Sequence, residues 1–444
     1  MTDRIASVEQ TSGLKPHSGF SGADIPAYDD YAHCVHCGLC LNSCPTYKLW
    51  GLEADSPRGR IRQIVLVDQG RLPLGDSFVK HIDQCLDCRA CESACPSGVE
   101  YGKLVEAARA QIEQNYRRPF FSRLVRDFVF RGLLPHPKRI AILARLLYVY
   151  QRSGLQWLAR ATGILRLAGL ADREKLLPPI DREFFFSKLG RTFPAVGHRR
   201  VRVALFAGCV AQVSFSSLHE ATIRVLTANG CEVVVPAGQT CCGALASHAG
   251  VRDVARSLAR TNLDIFLGED FDAVITNAAG CGSTLKEYED LFAAGTVEHD
   301  KAHAFRQKMR DVTEFLADLG LSAHLAALPL RVTYQDSCHL LHGQKIREAP
   351  RKLLRSIPGL ELVEMAMADY CCGSAGSYNV TETRTSLALL AEKMKHARAT
   401  NAPVIVTANP GCLLQMRAGA EIHSTGQEVL HVIELLDRAL AKNS

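Results

Sequence analysis

No run of about 20 apolar residues, the length that crosses a bilayer, occurs in the 444 residues. Uncharged stretches such as 233–251 are interrupted by Pro236, Gly238, Gln239 and Ser247. Residues 1–20 carry charges with Gly, Pro and Ser where a secretory leader needs an apolar core, so export is not expected. No G-x-G-x-x-G opens a strand-to-helix turn and no P-loop is present, so nothing points to bound nicotinamide, flavin or nucleotide. Cysteine, at 17 residues, is far too sparse for a disulfide scaffold, which is short and typically above ~8% Cys. An odd number also cannot pair completely. What remains is ordinary globular composition, 47% hydrophobic and 22% charged, enough for two or three domains of roughly 100–200 residues. The expectation is a cytoplasmic chain, soluble or held peripherally on the cytoplasmic side of the inner membrane, whose thiols serve as ligands or catalysts.

The cysteines that are present fall into sets. Cys34, Cys37, Cys40 and Cys44, followed by Pro45, have the spacing C-x2-C-x2-C-x3-C-P, and Cys85, Cys88, Cys91 and Cys95, followed by Pro96, repeat it at an offset of 51. This is the ligand run of bacterial two-cluster ferredoxins, in which three close thiolates wrap one [4Fe-4S] cube and the fourth reaches the other. The expected crossing is Cys34, Cys37, Cys40 and Cys95 on the first cluster, with Cys85, Cys88, Cys91 and Cys44 on the second. A structural zinc site prefers two C-x-x-C pairs with a longer spacer and fits far less well. Gly38 and Gly98 leave room for backbone near sulfur. Between the runs Ser56-Pro57 reads as an N-cap and first helical position. Arg58, Arg60 and Arg62 follow, close in sequence to the first run, and would offset the negative charge of a thiolate-bound cluster.

From residue 201 the texture changes to short β-branched runs that end in glycine and cysteine. Strands are expected over 201–206, 231–235 and 271–276, with helices over 212–229 and 244–267 between them, a βαβαβ rhythm that implies parallel strands. The same order returns about 130 residues later. Cys209 answers to Cys338, Cys241-Cys242-Gly243 to Cys371-Cys372-Gly373, and Cys281 to Cys412, and TNAAGC at 276–281 matches TANPGC at 407–412. Agreement in both spacing and wording indicates an internal duplication. Loops at the carboxyl ends of parallel strands converge on one crevice, so the four thiols of each repeat can meet. Cys209, Cys241, Cys242, Cys281, Cys338, Cys371, Cys372 and Cys412 are therefore candidates for redox or metal chemistry. The seventeenth, Cys231, lies inside a strand and reads as a small core residue.

Paired ferredoxin runs followed by two CCG repeats resemble the iron-sulfur subunits associated with glycolate oxidase, anaerobic glycerol-3-phosphate dehydrogenase, lactate utilisation and heterodisulfide reductase. The wording CLDCRACESACPSGVEY at 85–101, CCGSAGSY at 371–378 and VIVTANPGC at 404–412 is most similar to the glycolate oxidase iron-sulfur subunit. There is one departure from the heterodisulfide reductase relatives. Their CCG motif ends in C-x-x-C, whereas Thr284 and Gln415 stand three residues after Cys281 and Cys412. The resemblance implies an electron-transfer subunit holding two [4Fe-4S] clusters, with an additional iron-sulfur cluster or other metal at the CCG repeats left open. It also implies FAD-binding flavoprotein partners that oxidise glycolate to glyoxylate, and an acceptor such as a quinone. The alternatives are a lactate or glycerol-3-phosphate dehydrogenase subunit, and a catalytic CCG disulfide reductase.

The fold class expected is thus α/β with an α-helical two-cluster ferredoxin domain at 30–115, after a flexible segment 1–29. A basic helical connector at 116–195 leads to CCG repeats of mostly parallel strands at 196–325 and 326–444. Residues 116–191 hold 16 Lys or Arg against 5 Asp or Glu, a net of +11 in a chain whose total is +6. Amphipathic helices around 139–150 and 155–170 can meet an anionic membrane, an acidic partner subunit, or another domain of the same chain. Nucleic acid is not an expected partner, since no reading motif accompanies the basic segment. His33, His36, His339 and His342 stand beside cysteines, but complete thiolate sets already exist, so they are expected around the ligands rather than among them.

Overall fold

A computed structural model describes residues 18–441. The flexible segment expected at 1–29 falls partly outside them. Its remainder is not loose: Phe20 is buried against Phe78, Gly19 N–H donates to the Val67 carbonyl, and Asp24 pairs with Arg252 and Arg256.

The ferredoxin half is helical because its apolar residues recur at helical spacing. Ile61, Ile64 and Val67 from helix Pro57–Asp68, Phe78, Val79 and Ile82 from Asp76–Asp83, and Leu104, Val105, Ala108 and Ile112 from Tyr101–Asn115 form one core. Helix Pro57–Asp68 starts where the sequence indicates, with Pro57 at its first position and Ser56 Oγ accepting from Gly59 N–H at 2.9 Å. In the first ligand run, Pro45 opens helix Pro45–Trp50 directly after Cys44 and turns the chain away from the thiols.

The first CCG repeat carries strands β1 (Arg191–Phe193), β2 (Val201–Leu205), β3 (Cys231–Val235), β4 (Ala273–Thr276) and β5 (Met309–Asp311) in the order β1-β3-β2-β4-β5. The second carries β6 (Leu330–Tyr334), β7 (Leu360–Glu364), β8 (Val404–Thr407) and β9 (Glu428–His431) in the order β7-β6-β8-β9. Apart from the edge pair β1–β3, every pairing is parallel. The order β3-β2-β4-β5 repeats as β7-β6-β8-β9, so the duplication embraces a fourth strand that was not expected from sequence. Strands as short as β5 carry too few residues to show an alternating period. Their sequence signal lies one step later. Asp311 with Glu314, and His431 with Glu434, form matching capping boxes on helices Val312–Leu319 and Val432–Ala439.

The connector departs from its expected form in two ways. Its last residues leave the helical pattern to become edge strand β1, and 155–170 is divided into Leu155–Ala161 and Ile164–Leu167 at Gly163, whose φ is 72°. Helix Pro137–Arg152 buries Ile140 and Ala144 toward the first repeat while Ile142, Leu143, Leu146 and Val149 remain exposed.

The two repeats pack reciprocally. Helix Ser216–Ala228 of the first lies on Val432–Ala439 of the second, and Val312–Leu319 of the first lies on Glu348–Arg355 of the second. These are equivalent pairs exchanged, the signature of a pseudo-two-fold. The ferredoxin half sits across both, with helix Tyr101–Asn115 on Ala244–His248 and helix Pro45–Trp50 on Thr383–Ala399. The first of these contacts requires Gly250, where the single helix expected over 244–267 breaks. Its φ is +84°, and a Cβ there would lie 2.2 Å from the Arg109 carbonyl oxygen. Gly295 has a φ of +80° with open space around it. Gly295→Ala should therefore cost about 1 kcal/mol, from backbone strain alone, and Gly250→Ala about 2 kcal/mol more as the domains are forced apart. Thermal or urea unfolding of the two variants measures the difference.

Candidate metal centres

The two ligand runs have the same backbone. His36 and Gly38 in the first, Asp87 and Arg89 in the second, all have positive φ and stand 51 residues apart. Left-handed residues at those positions curl each loop around its sulfurs. A cleft of about 430 Å³ is lined by Cys34, Cys37, Cys40, Cys91 and Cys95, with Arg58 at its edge. A second, of about 300 Å³, is lined by Cys44, Cys85, Cys88 and Cys91, with Arg60 beside them. Cys44 and Cys95 thus each lie with three thiols of the opposite run. Tyr101 and Pro57 line both clefts. The first opens to solvent, with Cys37, Val35 and Leu39 exposed, whereas Cys85, Cys88 and Cys91 are buried.

Sets of four soft sulfur donors suit an iron-sulfur cluster, and the surroundings fit one. Burial pushes the Cys88 and Cys91 thiols well above their ordinary range, so a thiolate there needs a compensating cation. Asp87 N–H donates to Cys85 Sγ at 3.3 Å, and the Tyr101 hydroxyl donates to the same sulfur at 3.7 Å. Arg60 is buried, held by the His81 carbonyl at 2.7 Å and Thr46 Oγ1 at 3.2 Å. Sequence proximity suggested that all three arginines serve the first run. Arg58 alone lines the first cleft; Arg60 lies at the second because the helix carries it across, and Arg62 is exposed.

In each CCG repeat four thiols meet at the carboxyl ends of the strands. Side-chain contacts link them in sequence, Cys209 to Cys241, Cys241 to Cys242 and Cys242 to Cys281 in the first, and Cys338 to Cys371, Cys371 to Cys372 and Cys372 to Cys412 in the second. The glycine of the motif has a steric cause. Gly243 and Gly373 have φ of +81° and +88°, and a Cβ on Gly373 would lie 2.5 Å from the Ser386 carbonyl oxygen in helix Thr383–Ala399. Contact with Cys371, and burial, push the Cys372 thiol up to about 12. Where the heterodisulfide reductase pattern has a fifth cysteine, Gln415 donates to Ser386 Oγ at 2.9 Å and accepts from Asn379 at 3.3 Å, and Thr284 is buried. Cys231 is fully buried in β3.

The histidines beside the cysteines divide. His33 and His36 are exposed on the first loop. His339 Nε2 donates to the Asp87 carbonyl at 2.8 Å, and His342 Nδ1 bonds Ser93 Oγ at 2.8 Å, so both tie the second repeat to the second ligand loop. Sequence reasoning missed the ion network beneath them. His248 Nδ1 lies 2.7 Å from Glu106 and 3.2 Å from Asp87, Arg89 pairs with Glu287 and lies 3.7 Å from Glu106, and Ser247 donates to Glu106 at 2.8 Å. No local spacing encodes it, because its members come from four separate segments.

Burial works to lower the His248 pKa, but hydrogen bonds to Asp87 and Glu106 outweigh it and raise the value to about 9. A raised pKa means that the charged imidazolium stabilises the docked state fully below its ordinary value near 6.5, and that this contribution is lost as pH rises through about 9. Thermal unfolding should therefore show a loss of stability between pH 7 and 10 that is flattened in His248→Gln.

Residues 30–99 match the 4Fe-4S dicluster domain, 121–177 the linker region of the glycolate oxidase iron-sulfur subunit, and 203–286 and 332–417 the cysteine-rich CCG domain. The chain is 42% identical over 411 residues to a probable glycolate oxidase iron-sulfur subunit from Bacillus subtilis, covering 91% of this chain and 93% of that one. It is 31% identical to the glycolate oxidase iron-sulfur subunit of Escherichia coli, over 92% and 94% of the two chains. A lactate utilization protein A from Geobacillus is 34% identical over 53% of this chain and 99% of its own. With iron-sulfur ligand runs, linker and duplicated CCG domain all in register, the chain belongs to the glycolate oxidase iron-sulfur subunit family.

Proposed function

We propose that this iron-sulfur subunit serves a glycolate dehydrogenase complex, receiving electrons from an FAD-binding flavoprotein subunit that oxidises glycolate to glyoxylate and delivering them to an acceptor such as a quinone. The observation that carries the reading is the pairing of two thiol-lined clefts, each bringing three cysteines of one run together with the last of the other, one open to solvent and one buried against the second CCG repeat. Cys34, Cys37, Cys40 and Cys95 would hold one [4Fe-4S] cluster, and Cys44, Cys85, Cys88 and Cys91 the other. Such clusters supply one-electron chemistry at potentials set by their surroundings. Arg58 and Arg60 offset thiolate charge at the first and second clefts, and Val35 and Leu39 offer an apolar rim to the flavoprotein. A substrate-oxidising partner is required because glycolate loses two electrons and two protons, a hydride to the flavin and the hydroxyl proton to a base, whereas a cluster takes one electron at a time. The long match to the glycolate relatives, linker included, favours glycolate over lactate.

The anaerobically purified chain should contain about eight iron atoms in its ferredoxin half and show broad visible absorption that bleaches on reduction. It should not oxidise glycolate until flavoprotein subunits are added. Cys85→Ser should remove about half of that iron and most of the reconstituted turnover. A folded, iron-free preparation that supports full turnover with the partners would sink the reading.

Peripheral membrane contact is proposed through the connector, where no helix among the described residues is long and apolar enough to cross a bilayer. Phe120, Phe121, Leu124, Val125 and Phe128 form an exposed apolar row beside the concentrated positive charge, the pattern that lies in an anionic interface. Sedimentation with vesicles should show binding to anionic and not to zwitterionic lipid, reduced several-fold in Phe121→Ser/Leu124→Ser. Equal binding to neither or both argues against it.

A further inference from the structure

The two ferredoxin ligand loops share a backbone but are held from different places. In the first, the carbonyl of His36, the left-handed residue two after Cys34, accepts from Arg58 Nη1 at 3.2 Å, a group of the ferredoxin half itself. Asp87 stands at the same place in the second loop, two after Cys85, with a φ of 52°. Its carbonyl accepts from His339 Nε2 at 2.8 Å, a side chain of the second CCG repeat. A carbonyl only accepts, so His339 carries a proton on Nε2. The Asp87 carboxylate faces His248 Nδ1 at 3.2 Å, a side chain of the first repeat.

The hold comes from equivalent positions. His248 stands six residues after Cys242, and Tyr378 stands six residues after Cys372, so the duplicated repeats send the same position to one loop. Tyr378 donates its hydroxyl to the Gln84 carbonyl at 3.0 Å, on the other side of Cys85 from Asp87. Arg109 donates to the Cys85 carbonyl and, through Nη1, to the His248 carbonyl at 3.0 Å, which ties the loop and the first repeat to one guanidinium. Glu287 of the first repeat and His342 of the second extend the grip to Arg89 and Ser93. The second repeat adds one element of its own, the imidazole directly after its first cysteine: Val210 follows Cys209 where His339 follows Cys338.

Asp87 is the residue through which this hold reaches a ligand sulfur. Its N–H donates to Cys85 Sγ at 3.3 Å, and such a bond favours the reduced, more negative state of a thiolate-ligated cluster. A left-handed backbone is strained in any residue but glycine and persists only where the surroundings enforce it. Held at its carbonyl by one repeat and at its carboxylate by the other, Asp87 keeps the orientation that aims its N–H at the sulfur. We propose that His339, His248 and Tyr378 are positioning residues for the second cluster: acting through Asp87 and Gln84, they fix the hydrogen bond to Cys85 and with it the potential of that cluster, while the first cluster is set within the ferredoxin half. The inference rests on the reading of Cys44, Cys85, Cys88 and Cys91 as iron-sulfur ligands. It gives the CCG body a task apart from its own thiols, as the mould in which the second ligand loop takes its shape.

The test uses the complete, anaerobically purified chain and a redox titration followed by electron paramagnetic resonance, the second cluster's signal being the one that Cys85→Ser removes. His339→Leu should lower the ratio of reduced to oxidised second cluster about fivefold at fixed poise, the worth of about one hydrogen bond, and leave the first cluster unmoved. His339→Gln keeps a side-chain N–H donor and should restore most of that ratio. Tyr378→Phe removes one hydroxyl and should shift the ratio in the same direction by a smaller factor; it decides the question should His339→Leu fail to fold or to hold its clusters. An unchanged second-cluster ratio in either variant, an equal shift of both clusters, or no recovery in His339→Gln would each overturn the proposal. Absent cluster signals in the unaltered chain would instead overturn the reading beneath it.

Discussion

A thiolate buried among apolar side chains is tolerable only beside a compensating positive charge, and that constraint organises this chain. Sixteen of its cysteines are gathered into sets at loop ends, where backbone N–H groups reach some of the sulfurs and arginines line the two ferredoxin clefts. Cys85 receives Asp87 N–H, and Arg60 lies at the same cleft with no freedom to leave it. The folds around these sets are the two cheapest ways of holding several sulfurs in one place. A short loop does it by local curling, and parallel strands do it by converging their carboxyl ends.

The two halves could remain separate domains on a linker, yet their docking surface is polar and buried. Asp87 and Arg89 belong to the second ligand loop, Glu106 to the following helix, and His248 and Glu287 to the first repeat. Three carboxylates face Arg89, Arg252 and a protonated His248, so the network is near neutral as a whole and strongly charged in its parts. Removing one member leaves an uncompensated charge, which ties the position of the ligand loop to that of the first repeat. Arg89 holds a left-handed backbone where the first run has Gly38, a strain the ion pairs sustain.

What was legible in the sequence follows from how far each interaction reaches along the chain. The ferredoxin ligand runs are encoded in spacing alone, because their geometry is that of one loop. The quartets became legible through duplication, since two copies of Cys, Cys-Cys-Gly and Cys at matching offsets define a unit that neither copy defines singly. The strands β5 and β9 were missed because three or four residues carry no period, although the capping boxes that follow them were there to read. Arg60 was assigned to the wrong cleft because nearness in sequence ignores where a helix turns. The network around His248 and the ties of His339 and His342 join segments up to about 250 residues apart, and no composition or spacing announces such partners.

Duplication followed by docking also explains why symmetry must break. A pseudo-two-fold presents two equivalent crevices, but only the second shares a buried cluster with a ferredoxin cysteine, Cys88. Lysine at 393 stands opposite asparagine at 262, and asparagine at 409 opposite alanine at 278, in the repeat whose cysteines pack with Cys88. In the first repeat the connector takes the place of the ferredoxin loop, laying apolar side chains near Cys209 and favouring neutral thiols there. The divergence of the two copies is thus what unequal surroundings would select from an initially symmetric pair.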